Sequence, residues 1–206
     1  METNADRLSE LMERYARGED DVFEELYRLM APRLYRFCFR LAASKPEADD
    51  LLQETMLRVH RARATYLPGS NSLHWAFAIS RSVHLDRLRY RRRRAEDLGF
   101  MNDAAEHDLV PADDRHSPEA EVRARDLLGV VTAELARMSE KNRAAYVLLK
   151  EEGLSVKEAA GVLGTTATVV RQRAHRAYEQ LRTALEAAGW RENDHDGSWD
   201  AVSVRV

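Results

Sequence analysis

Helix breakers are scarce in this chain, and that scarcity constrains the fold before any motif is considered. Nine glycines and five prolines are spread over 206 residues, so the runs between them are long. Many of those runs repeat apolar residues three and four apart, the spacing of one face of a helix. Leu8, Leu11, Met12 and Tyr15 make such a stripe within residues 5–17, and Gly18 interrupts it. Val22, Phe23, Leu26, Leu29 and Met30 make the next; Pro32 is expected to break or restart that helix before Leu34, Phe37, Cys38 and Leu41 continue the apolar face. The expected class is all-α.

Pro46 suits the start of a further helix, whose dipole Glu47, Asp49 and Asp50 complement. That helix, EADDLLQETMLRVHRARATY, buries Leu51, Leu52, Thr55, Met56 and Val59 and turns Asp50, Gln53, Glu54, Arg58 and Arg61 outward. By residue type alone the outer face is an ordinary solvated one. A loop at 67–72 follows, then a helix with Trp75, Ile79 and Val83 at spacing four that runs into an arginine cluster.

Net charge is −3, which would argue weakly against a nucleic-acid partner if charge were evenly spread. It is not. Between 81 and 94 there are seven arginines against one acid, Asp86, and between 96 and 121 nine acids against one base, Arg115. Aromatic side chains beside guanidinium groups suit melted nucleic acid, because rings stack on bases and arginines hold phosphates. The competing reading makes Trp75 core and the arginines solubilising; for Trp75 alone the two readings are even, and for seven arginines in fourteen residues the first is favoured.

A second basic helix lies in the stretch 153–182, GLSVKEAAGVLGTTATVVRQRAHRAYEQLR. Gly164 ends a short helix where left-handed backbone is wanted, and Val162, Leu163 and Val170 are expected to face inward. Thr166 or Thr168 caps the next helix, which then presents Arg171, Gln172, Arg173, His175 and Arg176. This is a helix-turn-helix, whose second helix enters a major groove by its N-terminal residues. An αα-hairpin with a solvated basic face is the plainer alternative.

Cys38 is the sole cysteine, so no internal disulfide forms, and its neighbours Phe37 and Phe39 place it in a core. No stretch has the make-up of a signal peptide or a membrane span, so a cytoplasmic protein without membrane insertion is expected. The seven histidines (60, 74, 84, 107, 116, 175, 195) form no close pair at ligand spacing. No phosphate-cradling glycine loop or nucleophile elbow is present, so no enzyme, metal or cofactor is expected. Residues 1–96 are read as one helical domain, 97–120 as a flexible acidic linker, 121–188 as a second helical domain and 189–206 as a polar tail.

Taken together, residues 21–185 resemble a bacterial RNA polymerase sigma factor of the extracytoplasmic-function group, in the sigma-70 family. FEELYRLMAPRLYRFCFRL is similar to the family's first helical region. Asp50, Gln53, Glu54, Leu57 and Val59 match its D-x-x-Q-E-x-x-L-x-V pattern; Trp75, Ile79, Arg81, Asp86 and Arg89 match the next block. Ala160, Leu163, Gly164, Val170, Arg171, Arg173, His175, Arg176 and Ala177 match the last. Four blocks in the right order, split by an acidic segment, make the resemblance specific.

The resemblance implies core RNA polymerase (its β′ and β subunits) and promoter DNA as partners, with an anti-sigma factor as regulator. Asp50, Gln53 and Glu54 would dock on the β′ coiled coil. Asn71, Trp75, Arg81, Ser82 and Arg89 would open and hold the −10 element. Thr166, Thr168, Arg171, Gln172, Arg173, His175 and Arg176 would read the −35 element. A stand-alone helix-turn-helix regulator is the competing class, and it leaves the Gln53–Glu54 face unexplained.

Overall fold

The computed structural model describes residues 4–42, 44–97 and 118–190, side chains at 5 and 118–126 excepted, and every regular element among them is helical. The helices are α1 (Asn4–Ala16), α2 (Phe23–Leu41), α3 (Lys45–Ala62), α4 (Ser72–Asp97), α5 (Pro118–Arg137), α6 (Glu140–Tyr146), α7 (Val156–Leu163) and α8 (Ala167–Ala187). They fall into two compact units, one on α1–α4 and one on the later helices. The acidic segment at 98–117 and the tail from 191 lie outside the described residues.

In the first unit the four apolar stripes meet as their spacing predicts. Leu8, Leu11, Met12 and Tyr15 of α1 are buried, as are Leu26, Met30, Leu34, Phe37 and Leu41 of α2, Leu51 and Val59 of α3, and Phe77 and Val83 of α4. Phe37 and Phe77 tilt against each other with ring centroids 5.0 Å apart, a favoured aromatic geometry. Cys38 is fully buried, its Sγ 3.2 Å from Ser80 Oγ, and burial pushes its thiol up to about 11. Ser44 starts α3 by accepting from Glu47 N, with Pro46 in the first turn.

Pro32 does not break α2. The helix runs unbroken from Phe23 to Leu41 with Pro32 inside it, and the proline is exposed. A proline removes one backbone hydrogen bond and crowds the preceding turn. Here both losses fall on the solvent side, while buried Met30, Ala31 and Leu34 hold the inner side in register.

In the second unit α8 packs chiefly on α6 and α5. Its stripe of Val170, Ala177, Leu181 and Leu185 is fully buried. Tyr146, Val147 and Leu148 join this core, and Leu149 is half-buried. A wide turn over Val147–Glu151 ends this run, with Glu152 N bonding Val147 O, five residues back.

Two further boundaries differ from expectation. α5 begins at Pro118, so its first turn takes residues assigned to the linker, with proline at a favourable first position. At the other end the polar tail does not begin at Gly189. Gly189 N bonds Glu186 O, Trp190 N bonds Leu185 O, and Gly189 has φ +87, so a left-handed glycine turns the chain back on itself. That turn buries the Trp190 side chain, 8% exposed.

Candidate nucleic-acid interface

The N-terminal half of α8 is built to stand clear of its own domain. Thr166 Oγ1 accepts from Val169 N at 3.4 Å, so of the two threonines it is Thr166 that caps the helix, and Thr168 is exposed. At about 100° per residue, Thr168, Arg171, Gln172, His175 and Arg176 share the face opposite the buried stripe, and all five are exposed. No acid stands in the first turn. Among the described residues none of these five side chains has a hydrogen-bond or ion-pair partner. Arg173 falls on the flank and is half-buried. Only towards the C-terminus does pairing begin, where Arg182 meets Glu179 at 2.7 Å and Glu186 at 3.6 Å. A helix start with free N–H groups and outward guanidinium groups favours an anion.

The helix before it is fixed by a capping box that the S-x-x-E pattern at 155–158 carries in the sequence. Ser155 Oγ accepts from Glu158 N at 3.3 Å, and Glu158 Oε2 accepts from Ser155 N at 2.7 Å. Gly164, at φ +57, then closes α7: Thr165 N bonds Ala160 O, so a β-carbon there would strain the turn. Val162 and Leu163 are buried as expected.

The arginines of α4 are disposed differently. Arg58 of α3 reaches Asp86 of α4 at 2.8 Å and Glu54 on its own helix at 3.1 Å; Arg89 also meets Asp86, at 2.8 Å. The hydrogen bond from Arg58 holds the Asp86 carboxyl below its ordinary value, and the same contact raises Arg58. Arg91 pairs with Glu47 at 2.5 Å, and Arg87 donates to the backbone oxygen of Asp50 at 2.9 Å. Arg87 and Arg91 therefore tie α4 to α3, while Arg89 and Arg92 pair within α4. Arg93 and Arg94, beyond these contacts, are exposed and unpaired among the described residues.

Asp50 and Gln53 are exposed on α3, next to Leu57, whose side chain stands 41% exposed. Glu54 is half-buried through its bond to Arg58. A cleft of about 570 Å³ opens beside them, bordered by Asp50, Glu54, Arg87 and Tyr90.

A tight turn precedes α4. Ser70 N bonds Leu67 O at 3.1 Å around Pro68 and Gly69, and Gly69 has φ +78, the pattern of a type II turn. Gly69 N donates to Glu13 Oε1 of α1 at 2.9 Å. Asn71 caps α4, its Oδ1 accepting from Leu73 N and His74 N at 3.1 Å each. Tyr66, buried, donates its hydroxyl to Ser70 O and meets Trp75 edge-on at 5.4 Å. Trp75, Ile79 and Arg81 are half-buried and Ser82 is exposed.

The structure thus brings Asn71 and Trp75 to one corner, places Arg81 and Ser82 further along α4, and binds Arg89 to Asp86. Sequence reasoning missed Glu13, because a carboxylate 56 residues from its partner leaves no local pattern. It likewise missed Arg58, assigned to the solvated face, as the link between Glu54 and Asp86.

Comparison with known proteins supplies the remaining evidence. Residues 26–94 match the Sigma-70 region 2 family model, and residues 128–181 match that of Sigma-70, region 4. The chain is 35% identical over 179 residues to RNA polymerase sigma factor CarQ of Myxococcus xanthus, covering 84% of this chain and 95% of that one. It is 38% identical over 164 residues to ECF RNA polymerase sigma factor SigE of Mycolicibacterium smegmatis, with 79% of this chain aligned to 61% of the relative's length. The fold is that of sigma factor RpoE from Bartonella quintana, solved with the anti-sigma factor NepR. The TM-score is 0.67 at 24% identity, covering 81% of this chain and 98% of that one. CnrH, solved with the cytosolic domain of CnrY, gives a TM-score of 0.59 at 24% identity over 87% of this chain and 97% of the other.

Proposed function

The chain belongs to the extracytoplasmic-function group of the sigma-70 family, and from that membership we propose how its residues divide the work of promoter recognition. The unpaired basic face of α8 carries the proposal. Thr168, Arg171, Gln172, His175 and Arg176 lie in the major groove of the −35 element, where arginine reads guanine edges and the remaining contacts fix register. Thr166 sets the angle of entry through its cap, and Arg173, on the flank, takes a backbone phosphate.

At the −10 element Trp75 and the 67–71 loop hold the opened strand, with Asn71 fixing the start of α4. Arg81 and Ser82 contact DNA further along the helix, and Arg89 exchanges its ion pair with Asp86 for a phosphate. Asp50 and Gln53, with Leu57 between them and the next turn, dock on the polymerase β′ subunit, and Glu54 sets the edge of that face. The catalytic steps of RNA synthesis belong to the polymerase, and this chain contributes none.

One structurally similar sigma factor is seen bound to the anti-sigma factor NepR, and CnrH is seen bound to the cytosolic domain of CnrY. We extend that arrangement to this chain: an anti-sigma factor restrains it in the cytoplasm. No helix among the described residues is long and apolar enough to cross a membrane. The test is reconstitution with core polymerase on genomic DNA. Initiation at discrete sites only when this chain is added supports the reading, and failure to bind core polymerase ends it.

A further inference from the structure

We propose that Glu13 of α1 is a positioning residue for promoter opening. Its carboxylate accepts the Gly69 N–H at 2.9 Å, and so fixes the 67–70 turn from which Asn71 and Trp75 meet the opened strand. The proposal rests on the assignment of that loop to the −10 element. α1 ends at Ala16, ahead of residue 26 where the match to region 2 begins.

The turn needs an external hold. Leu67 is 71% exposed, so burial of its own apolar side chain does not place it. Pro68 has no N–H to offer. In a turn closed by Ser70 N on Leu67 O, the amide of Gly69 has no acceptor within the turn. Glu13 supplies one, and a carboxylate acceptor makes the bond charge-assisted.

The anchor itself is firm. Leu8, Leu11, Met12 and Tyr15 bury one side of α1. Tyr15 Oη is hydrogen-bonded to His60 Nδ1 of α3, and the Arg63 guanidinium lies 5.4 Å from the Tyr15 ring centroid. From the turn the constraint continues inward, because Tyr66 bonds Ser70 O and its ring braces Trp75. Glu13, the turn, Tyr66 and Trp75 thus form one connected set whose outer end presents Leu67 and Asn71.

The full chain is assembled with core polymerase on a promoter it uses, and the opened region is read by permanganate reactivity of thymines. Glu13→Ala is expected to lower the opened fraction by about three- to tenfold, the worth of a hydrogen bond whose charge is screened by solvent, with affinity for core polymerase unchanged. Glu13→Gln, whose amide oxygen accepts the same bond, is expected to restore most of it. Gly69→Ala strains the turn at φ +78 and should give the same defect, with no further loss when combined with Glu13→Ala.

Wild-type opening by Glu13→Ala overturns the proposal, as does a Glu13→Gln variant as defective as Glu13→Ala. A deficit that vanishes at a temperature where both proteins are fully folded also overturns it. Trp75→Ala separates the two layers of inference. If it fails to open while Glu13→Ala opens normally, the assignment of Glu13 falls alone; if both open normally, the −10 role of this corner falls with it.

Discussion

Two helices in this protein are rich in arginine, and their charges are disposed in opposite ways. On α4, Arg87, Arg89 and Arg91 bind Asp50 O, Asp86 and Glu47, so the positive charge holds α4 to α3 or to itself. On α8, Arg171, Gln172, His175 and Arg176 face solvent without partners among the described residues, while the opposite stripe is fully buried. The difference teaches that arginine density does not measure what is available to a polyanion. A guanidinium already paired must give up that pair before it gains a phosphate, so its net contribution is smaller.

The largest expected effect tests the frame that holds α8 outward. Trp190→Ala removes a large side chain that is 8% exposed and should destabilise the second unit by about 3 kcal/mol, read by chemical denaturation. An unchanged midpoint would mean that Trp190 does not lock the end of α8.

The contrast between the helices is tested next by paired substitutions. Arg171→Ala should cost about 1–3 kcal/mol in binding of polymerase holoenzyme to a −35 duplex, with relaxed preference at one base pair. Arg89→Ala, taken from an existing ion pair, should weaken promoter binding by less. Equal losses, measured by titration at one salt concentration, would break the comparison.

A smaller effect concerns the cap. Thr166→Ala should lower stability of the second unit by about 1 kcal/mol, whereas Thr168→Ala, exposed and uninvolved in the cap, should leave stability alone and change only DNA binding. Equal thermal shifts for the two would contradict the cap assignment.

The smallest effect belongs to Asp86. Its carboxyl is held below the ordinary range by Arg58, so folding is favoured at pH values above the usual carboxylate pKa of about 4 and that stabilisation fades as pH drops through the lowered folded value. Both side chains are more than a third exposed, so solvent screening limits the contribution to less than about 1 kcal/mol. Asp86→Asn should therefore lower the melting temperature slightly at neutral pH and lose that difference in acid. A deficit that persists at low pH would assign the effect to packing.

Most of the fold was legible because its signals are local. The stripes of Leu8, Leu11, Met12 and Tyr15, or of Leu34, Phe37, Cys38 and Leu41, need only helical spacing to be read. Gly164 and the threonine cap needed only turn chemistry. Pro32 was misread for the complementary reason: whether a proline breaks a helix depends on what lies against it.

The site divides along the same line. Sequence alone determined the helical class, the helix-turn-helix and the family, because periodicity, capping residues and ordered motifs are written within a few turns of chain. Only the tertiary structure decided which arginines are free, because Glu47 and Arg91, or Arg58 and Asp86, become neighbours once α3 and α4 pack. The same holds for Glu13 and Gly69. Pairing energies fall off within a few ångströms, and sequence separation carries no record of that distance.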